Sequence, residues 1–90
     1  MKIEAFEWDA QNETHIARHG VSPEELEEVF VGPFFHRKTR EGKYAALGQT
    51  LEGRYLFVIF VLKPRHIIRP ITAREMDKKD VRTYRKWRKG

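Results

Sequence analysis

The stretch His15-Ile16-Ala17-Arg18-His19-Gly20 sets two histidines four residues apart with a glycine directly behind them. Four apart places both rings on one face of a helix. That spacing can chelate a metal, and histidine is also the side chain best suited to move protons near neutral pH. Metal-binding helices of this spacing carry a glutamate between the histidines. Here Ile16, Ala17 and Arg18 stand between them, and a fixed cation beside the pair opposes a second one. Asp9 and Glu13 are the nearby carboxylates, which is a thin ligand set, so neither a metal nor another cofactor is expected. A simpler reading is a helix end. His19 falls in the last turn, where the macrodipole favours a cation, and Gly20 takes the left-handed position that stops the helix.

Charge narrows the partners. The chain of 90 residues carries +5, but unevenly. Residues 1–31 hold two basic against eight acidic side chains, and residues 32–90 hold sixteen against five, so the halves carry −6 and +11. A basic lobe of that size suits a polyanion, most often nucleic acid, the plainer alternative being a solvated cationic surface. Ninety residues make one domain, 1–90, with a modest core that a partner would help to stabilise. There is no cysteine, which rules out disulfides and thiolate metal sites and fits a cytoplasmic location. The N-terminus has no apolar signal-peptide core, and the longest apolar run, Tyr55 to Leu62, is too short to span a bilayer.

The elements that must position these residues read as follows. Residues 2–8 alternate like a strand, Asp9 is a good N-cap, and a helix over 10–19 ends at Gly20. In Val21-Ser22-Pro23-Glu24-Glu25-Leu26, Ser22 is an N-cap, Pro23 the first helical residue and Glu25 the capping-box partner, with Val21 and Leu26 at the positions of a hydrophobic staple. Leu26, Val29 and Phe30 form its buried stripe, and Gly32-Pro33 ends it. Strands follow over 34–38, 43–50, 54–62 and 66–73. The third of these is almost wholly apolar, which predicts a central strand covered on both faces. Pro70 lacks a ladder donor, which puts the last strand at an edge or gives it a bulge. The segment from residue 74 to the C-terminus reads as a helix, with Val81, Tyr84 and Trp87 recurring on one side. The order β-α-α-β-β-β-β-α predicts an α+β fold, an antiparallel sheet with two N-terminal helices and one C-terminal helix packed on it.

Phe6-Glu7-Trp8-Asp9, then His15 to Phe30 (HIARHGVSPEELEEVF), then the apolar strand and Ile71-Thr72-Ala73-Arg74 resemble, in that order, the BrnT family. These are small ribonuclease toxins of type II toxin–antitoxin pairs, RelE-like in fold, and the likeness spans nearly the whole chain. It implies a toxin that cleaves RNA and reduces translation. It also implies a cognate BrnA-like antitoxin with a ribbon-helix-helix part, through which any oligomer would form. The first helix departs from the common pattern, with Asn12 and His15 where a lysine and an asparagine usually stand. A non-catalytic nucleic-acid- or partner-binding module of the same fold is therefore the alternative.

Metal-independent RNA cleavage needs few parts: an acceptor for the 2′-OH proton, fixed cations for the phosphorane, and an acid for the leaving 5′-oxygen. Arg74, which matches the family's arginine, is the first candidate, since a guanidinium can clamp a phosphate bidentately. The alternative is a helix-start arginine paired with Glu75 or Asp77. Arg54 opens the apolar strand and is expected on the same side, unless it only keeps that strand soluble. His19 is the proton-transfer candidate. Lys43, Arg69, Lys78, Arg82 and Arg85 are expected to bind phosphates, setting affinity and salt dependence. Trp8, Tyr55, Phe57, Phe60 and Trp87 are expected to pack the core.

Overall fold

The computed structural model describes residues 1–90. Its elements run β1 (Ala5–Phe6), α1 (Ala10–Ala17), α2 (Pro23–Val29), β2 (Phe35–Lys38), β3 (Tyr44–Gln49), β4 (Tyr55–Lys63), β5 (Ile67–Glu75) and α3 (Lys78–Lys89). The expected α+β order holds, but the sheet is mixed. Its strand order is β1-β5-β4-β3-β2. β2 to β5 pair antiparallel, while β1 lies parallel to β5. Alternation along residues 2–8 announces a strand without naming its neighbour. The strand is also shorter than expected. Only Ala5 and Phe6 join the ladder, flanked by bonds from the Glu4 N–H to the His66 carbonyl at 2.9 Å and from the Glu7 N–H to the Ile68 carbonyl at 2.8 Å. The chain must then leave the sheet, because Asp9 already caps α1.

Both N-terminal helices start on reciprocal caps. The Asp9 carboxylate accepts from the Asn12 N–H at 3.1 Å, and the Asn12 amide oxygen accepts from the Asp9 N–H at 2.9 Å. Ser22 and Glu25 exchange the same pair of bonds, each 3.1 Å, as their spacing predicts. α1 ends two residues earlier than expected. The His19, Gly20 and Val21 N–H groups fold back onto the Ile16 and Ala17 carbonyls, with Gly20 at φ 71°. His19 therefore sits in the closing turn, not in the helix.

Asn12 ties α1 to the sheet. It is buried, and its amide donates to the Glu7 carbonyl at 2.9 Å and to the Pro70 carbonyl at 3.0 Å. Pro70 does mark a bulge: Ile59 pairs Thr72 but Phe60 pairs Pro70, so Ile71 is the extra residue.

α1 and α2 seal one face of the sheet. The main core lies there: Ile16, Val21, Leu26, Val29 and Phe30 from the helical side against Ala46, Leu56, Val58, Phe60, Ile68 and Ala73. Phe30 meets Phe60 edge-on, with ring centroids 5.3 Å apart. The opposite face is only part-covered, contrary to the expectation for β4. Leu56, Val58 and Phe60 are buried, whereas Tyr55, Phe57, Ile59 and Val61 are half-buried. α3 is the cover on that side, and its twelve residues reach only about 18 Å. It buries Tyr84 against Tyr55, sets Trp87 beside Phe35, and leaves the β4–β5 side open. Trp87 is an exposed rim residue rather than a core one. No helix is long and apolar enough to cross a membrane.

Gly48 shows how closely α2 rides on the sheet. A Cβ there would stand 2.8 Å from Val29 Cγ1 and 3.2 Å from Phe34 Cβ. Gly48→Ala is expected to destabilise the protein by about 1–3 kcal/mol through overpacking. Urea denaturation measures it, and a midpoint unchanged from wild type would show that α2 can retreat freely.

Candidate nucleic-acid interface

The face that α3 shares is the cationic one. Side chains alternate across a sheet, and the registers fix the faces. Ala45, Ile59 and Thr72 stand in one cross-strand row, and Leu47, Phe57 and Arg74 in the next. Arg37 opposite Ala45, Arg69 opposite Val61, and Lys63 beyond Val61 take the same face. Lys43 continues the alternation just before β3. Beside this face, α3 carries seven cations, with Asp80 its one carboxylate. Lys78, Arg82 and Arg85 line a shallow depression of about 350 Å³ with Met76, Asp77 and Val81. All five phosphate-binding candidates thus lie on or beside one surface. Arg37 and Lys63 belong to it as well. Strand alternation could have found them once the register was known.

Arg74 lies inside β5, four residues before α3 starts, rather than at a helix start. Its guanidinium carbon sits 4.2 Å from the centroid of the Phe57 ring, a cation–π arrangement. Nη1 donates to the Glu75 carbonyl at 2.9 Å and to Asp80 Oδ2 at 3.1 Å. Nε and Nη2 make no hydrogen bond, so the edge that forms a bidentate fork is unengaged. The pairing partner is Asp80, not Glu75 or Asp77. Asp80 is itself fixed as the capping partner of Asp77: the Asp80 N–H donates to Asp77 at 2.8 Å, and the Asp77 N–H donates to Asp80 at 3.2 Å. The N–H bond from Asp80 holds the Asp77 carboxyl below its ordinary range. The signal was legible as an Asp-x-x-Asp capping box.

Arg54 was expected on the same side as Arg74, and it is on the other. It precedes Leu56 by two residues and so faces α2. Its Nη1 donates to the Gly20 carbonyl at 2.8 Å and to both Glu25 carboxylate oxygens at 3.0 Å, and its Nε donates to Glu75 Oε2 at 3.0 Å. The Glu25 and Glu75 hydrogen bonds raise its pKa further above the ordinary arginine value. Arg54 is a latch joining the α1–α2 turn, α2 and β5 across the start of β4. His19, next to Gly20, is exposed on the same side. The structure therefore brings Arg74 together with the α3 cations and sets Arg54 and His19 apart from it.

The His15 and His19 rings lie 6.0 Å apart, and no third histidine or carboxylate gathers with them. Arg69 carries its own counterions, Glu7 at 3.2 Å and Asp9 at 3.0 Å, while Lys63 bonds Glu7 at 3.0 Å. Lys63 and then Arg69 hold the Glu7 carboxyl below its usual value against the opposing effect of burial; Asp9 is held down by the Asn12 N–H first and Arg69 second. Lys43 pairs with Glu41 at 3.5 Å. Arg85 stands 5.5 Å over the Tyr55 ring, with its Nη2 3.4 Å from the phenol oxygen.

A mixed sheet sealed on one face by two short helices, and flanked on the other by a cationic helix, defines a class of small α+β proteins. A family model described as ribonuclease toxin, BrnT, of type II toxin–antitoxin system matches residues 8–80. The chain belongs to the BrnT family. Its fold is similar to the crystal structure of the Brucella abortus ribonuclease toxin BrnT, with a TM-score of 0.63 and 22% identity over 82% of this chain and 97% of that one. No curated protein matches the chain.

The Glu25–Arg54 pair has a pH signature. Burial opposes the charged Glu25 carboxylate, but the Ser22 N–H and Arg54 outweigh it and lower the pKa from its ordinary 4.5. A lowered carboxyl pKa stabilises the fold above the unfolded value and loses that contribution as pH falls through the folded one. Glu25→Gln, which keeps the cap, is expected to cost about 1 kcal/mol at pH 7. The gap to wild type should narrow as pH falls below 4.5, and thermal denaturation at pH 7 and pH 3 should show it. A gap equally wide at both would mean that the charge is not what stabilises.

Proposed function

We propose that this protein is the toxin of a type II toxin–antitoxin pair and that it cleaves RNA without a metal. The observation that carries the reading is Arg74: a guanidinium 4.2 Å over the Phe57 ring, with its Nε–Nη2 edge free, beside a helix of seven cations. In the step proposed, the 2′-oxygen attacks the adjacent phosphorus and the bond to the 5′-oxygen breaks. The products are a 2′,3′-cyclic phosphate and a free 5′-hydroxyl. Arg74 binds the non-bridging oxygens and offsets the charge that grows on them in the phosphorane. Arg82, Arg85 and Lys78 bind flanking phosphates, where they set affinity and salt dependence. His19 lies off this face, so proton transfer falls to a group on the α3 side. The Tyr55 hydroxyl beside Arg85 is the candidate acid for the leaving 5′-oxygen, and solvent water takes the proton of the attacking 2′-OH.

The partners follow from the same surface. Half-buried Phe57, Ile59 and Val61 lie among the cations. An antitoxin segment that presents carboxylates and apolar side chains would cover that face and exclude RNA, adding burial to a small core. A cytoplasmic location accords with an RNA target.

Partner-free protein, given end-labelled RNA in excess EDTA, is expected to leave 2′,3′-cyclic ends. Arg74→Ala should reduce the rate about 10²–10³-fold, the usual cost of one charge-stabilising donor, with Tm little changed. His19→Ala should stay within a few-fold of wild type. Cleavage that survives Arg74→Ala would remove Arg74 from the mechanism. Salt-sensitive binding with no cleavage, of free or ribosome-bound RNA, would leave a binding module.

A further inference from the structure

The cationic face continues to the hairpin tips at one end of the sheet. The turns β2–β3 and β4–β5 leave the sheet at the same end, since Lys38 pairs Tyr44, Tyr44 pairs Phe60, and Lys63 pairs Ile67. Residues 37–43 and 63–66 carry Arg37, Lys38, Arg40, Lys43, Lys63 and Arg65 against one carboxylate, Glu41. Lys43 pairs with Glu41 and Lys63 with Glu7. Arg37, Lys38, Arg40 and Arg65 are exposed or at the tips and have no carboxylate partner.

The backbone there is unusual too. Glu41, Arg65 and His66 sit at φ 65°, 67° and 62°, the left-handed region where glycine is the unstrained choice. Arg65 and His66 are successive and exposed, so no packing rewards their side chains. Positive φ at the successive pairs Glu41–Gly42 and Arg65–His66 is what tight hairpin turns require, and it holds the exposed cations out at the tips.

The tips lie in line with the proposed cleavage site. Arg74 is seven residues along β5 from Ile67, about 23 Å at 3.3 Å per residue. Lys63 and Arg69 mark the way on the α3 face, along the β4–β5 side that α3 leaves open. A stacked strand rising about 3.4 Å per nucleotide spans that distance in about seven nucleotides, and an extended strand in fewer.

We propose that the two hairpin tips are a second contact for the RNA backbone, so that the protein holds a length of RNA reaching from Arg74 to Arg40 and Arg65. This rests on the RNA reading given above. The tips select for length and not for sequence, because they meet phosphates alone. Short oligonucleotides at the Arg74 site are held without them.

The test uses wild-type protein and all-2′-O-methyl RNA, which lacks the attacking hydroxyl and cannot be cleaved. Binding of a 20-mer and a 4-mer is measured by fluorescence anisotropy across a salt series, with wild type and with Lys38→Gln/Arg40→Gln/Arg65→Gln. The 20-mer salt slope should fall by about two, three lost phosphate contacts at about 0.7 each, while the 4-mer is unaffected. Arg65→Gly provides the control for folding: it relieves the left-handed strain, so Tm should stay level or rise while 20-mer binding weakens. An unchanged 20-mer slope in the triple variant overturns the proposal. So does binding of the tips to phosphatidylserine vesicles with the RNA slope unaltered. Cleavage by wild type is scored separately. A reduced slope without cleavage keeps the contact and sinks the nuclease; cleavage with an unchanged slope does the reverse; no RNA binding sinks both.

Discussion

α1 has eight residues and α2 seven, and helices this short do not hold themselves together in water. Yet they are the helices that seal Leu56, Val58, Phe60 and Ile68, with Phe6, Trp8 and Phe34 packed at the margins. The rest of the structure depends on how they are held. Reciprocal caps at Asp9–Asn12 and Ser22–Glu25 supply their orphan N–H groups with acceptors. Asn12 then fastens α1 to β5 through the Pro70 carbonyl, and Arg54 fastens the α1–α2 turn and α2 to the sheet. The buried apolar stripe supplies most of the stabilisation, and these polar bonds select one arrangement of it.

Sealing one face determines the chemistry of the other. The single helix left for that side is too short to span five strands and is loaded with cations. The result is a half-open surface on which Phe57, Ile59 and Val61 are half-buried, bordered by Arg69, Arg74 and α3. An apolar floor lowers the local dielectric, which strengthens the attraction between a guanidinium lying on it and a phosphate. Asp80 holds Arg74 by Nη1 alone, so an anion can be met by the opposite edge without breaking the pair.

Arg54 and Arg74 make the division of labour visible. Both are linked to Glu75, Arg54 to its carboxylate and Arg74 to its carbonyl. They nevertheless face opposite sides of the sheet. One is saturated by acceptors and acts on the fold. The other keeps donors free on the half-open face.

Much of this was legible in the residues. Ser22-Pro23-Glu24-Glu25 marked the start of α2, Gly20 the turn that closes α1, and Pro70 an edge or a bulge in the last strand, because each acts through its own backbone or within one turn. The order of elements, the basic second half and the family likeness came from the chain as well. What the sequence could not supply was the face each strand residue takes and which strand β1 joins. Those depend on register, and a shift of one residue exchanges every side chain between faces. Arg54 and Arg74 look alike as cations flanking apolar strands. Only the pairing of Phe57 with Arg74, and of Leu56 with the helix-side core, decided which of them meets solvent and which meets α2.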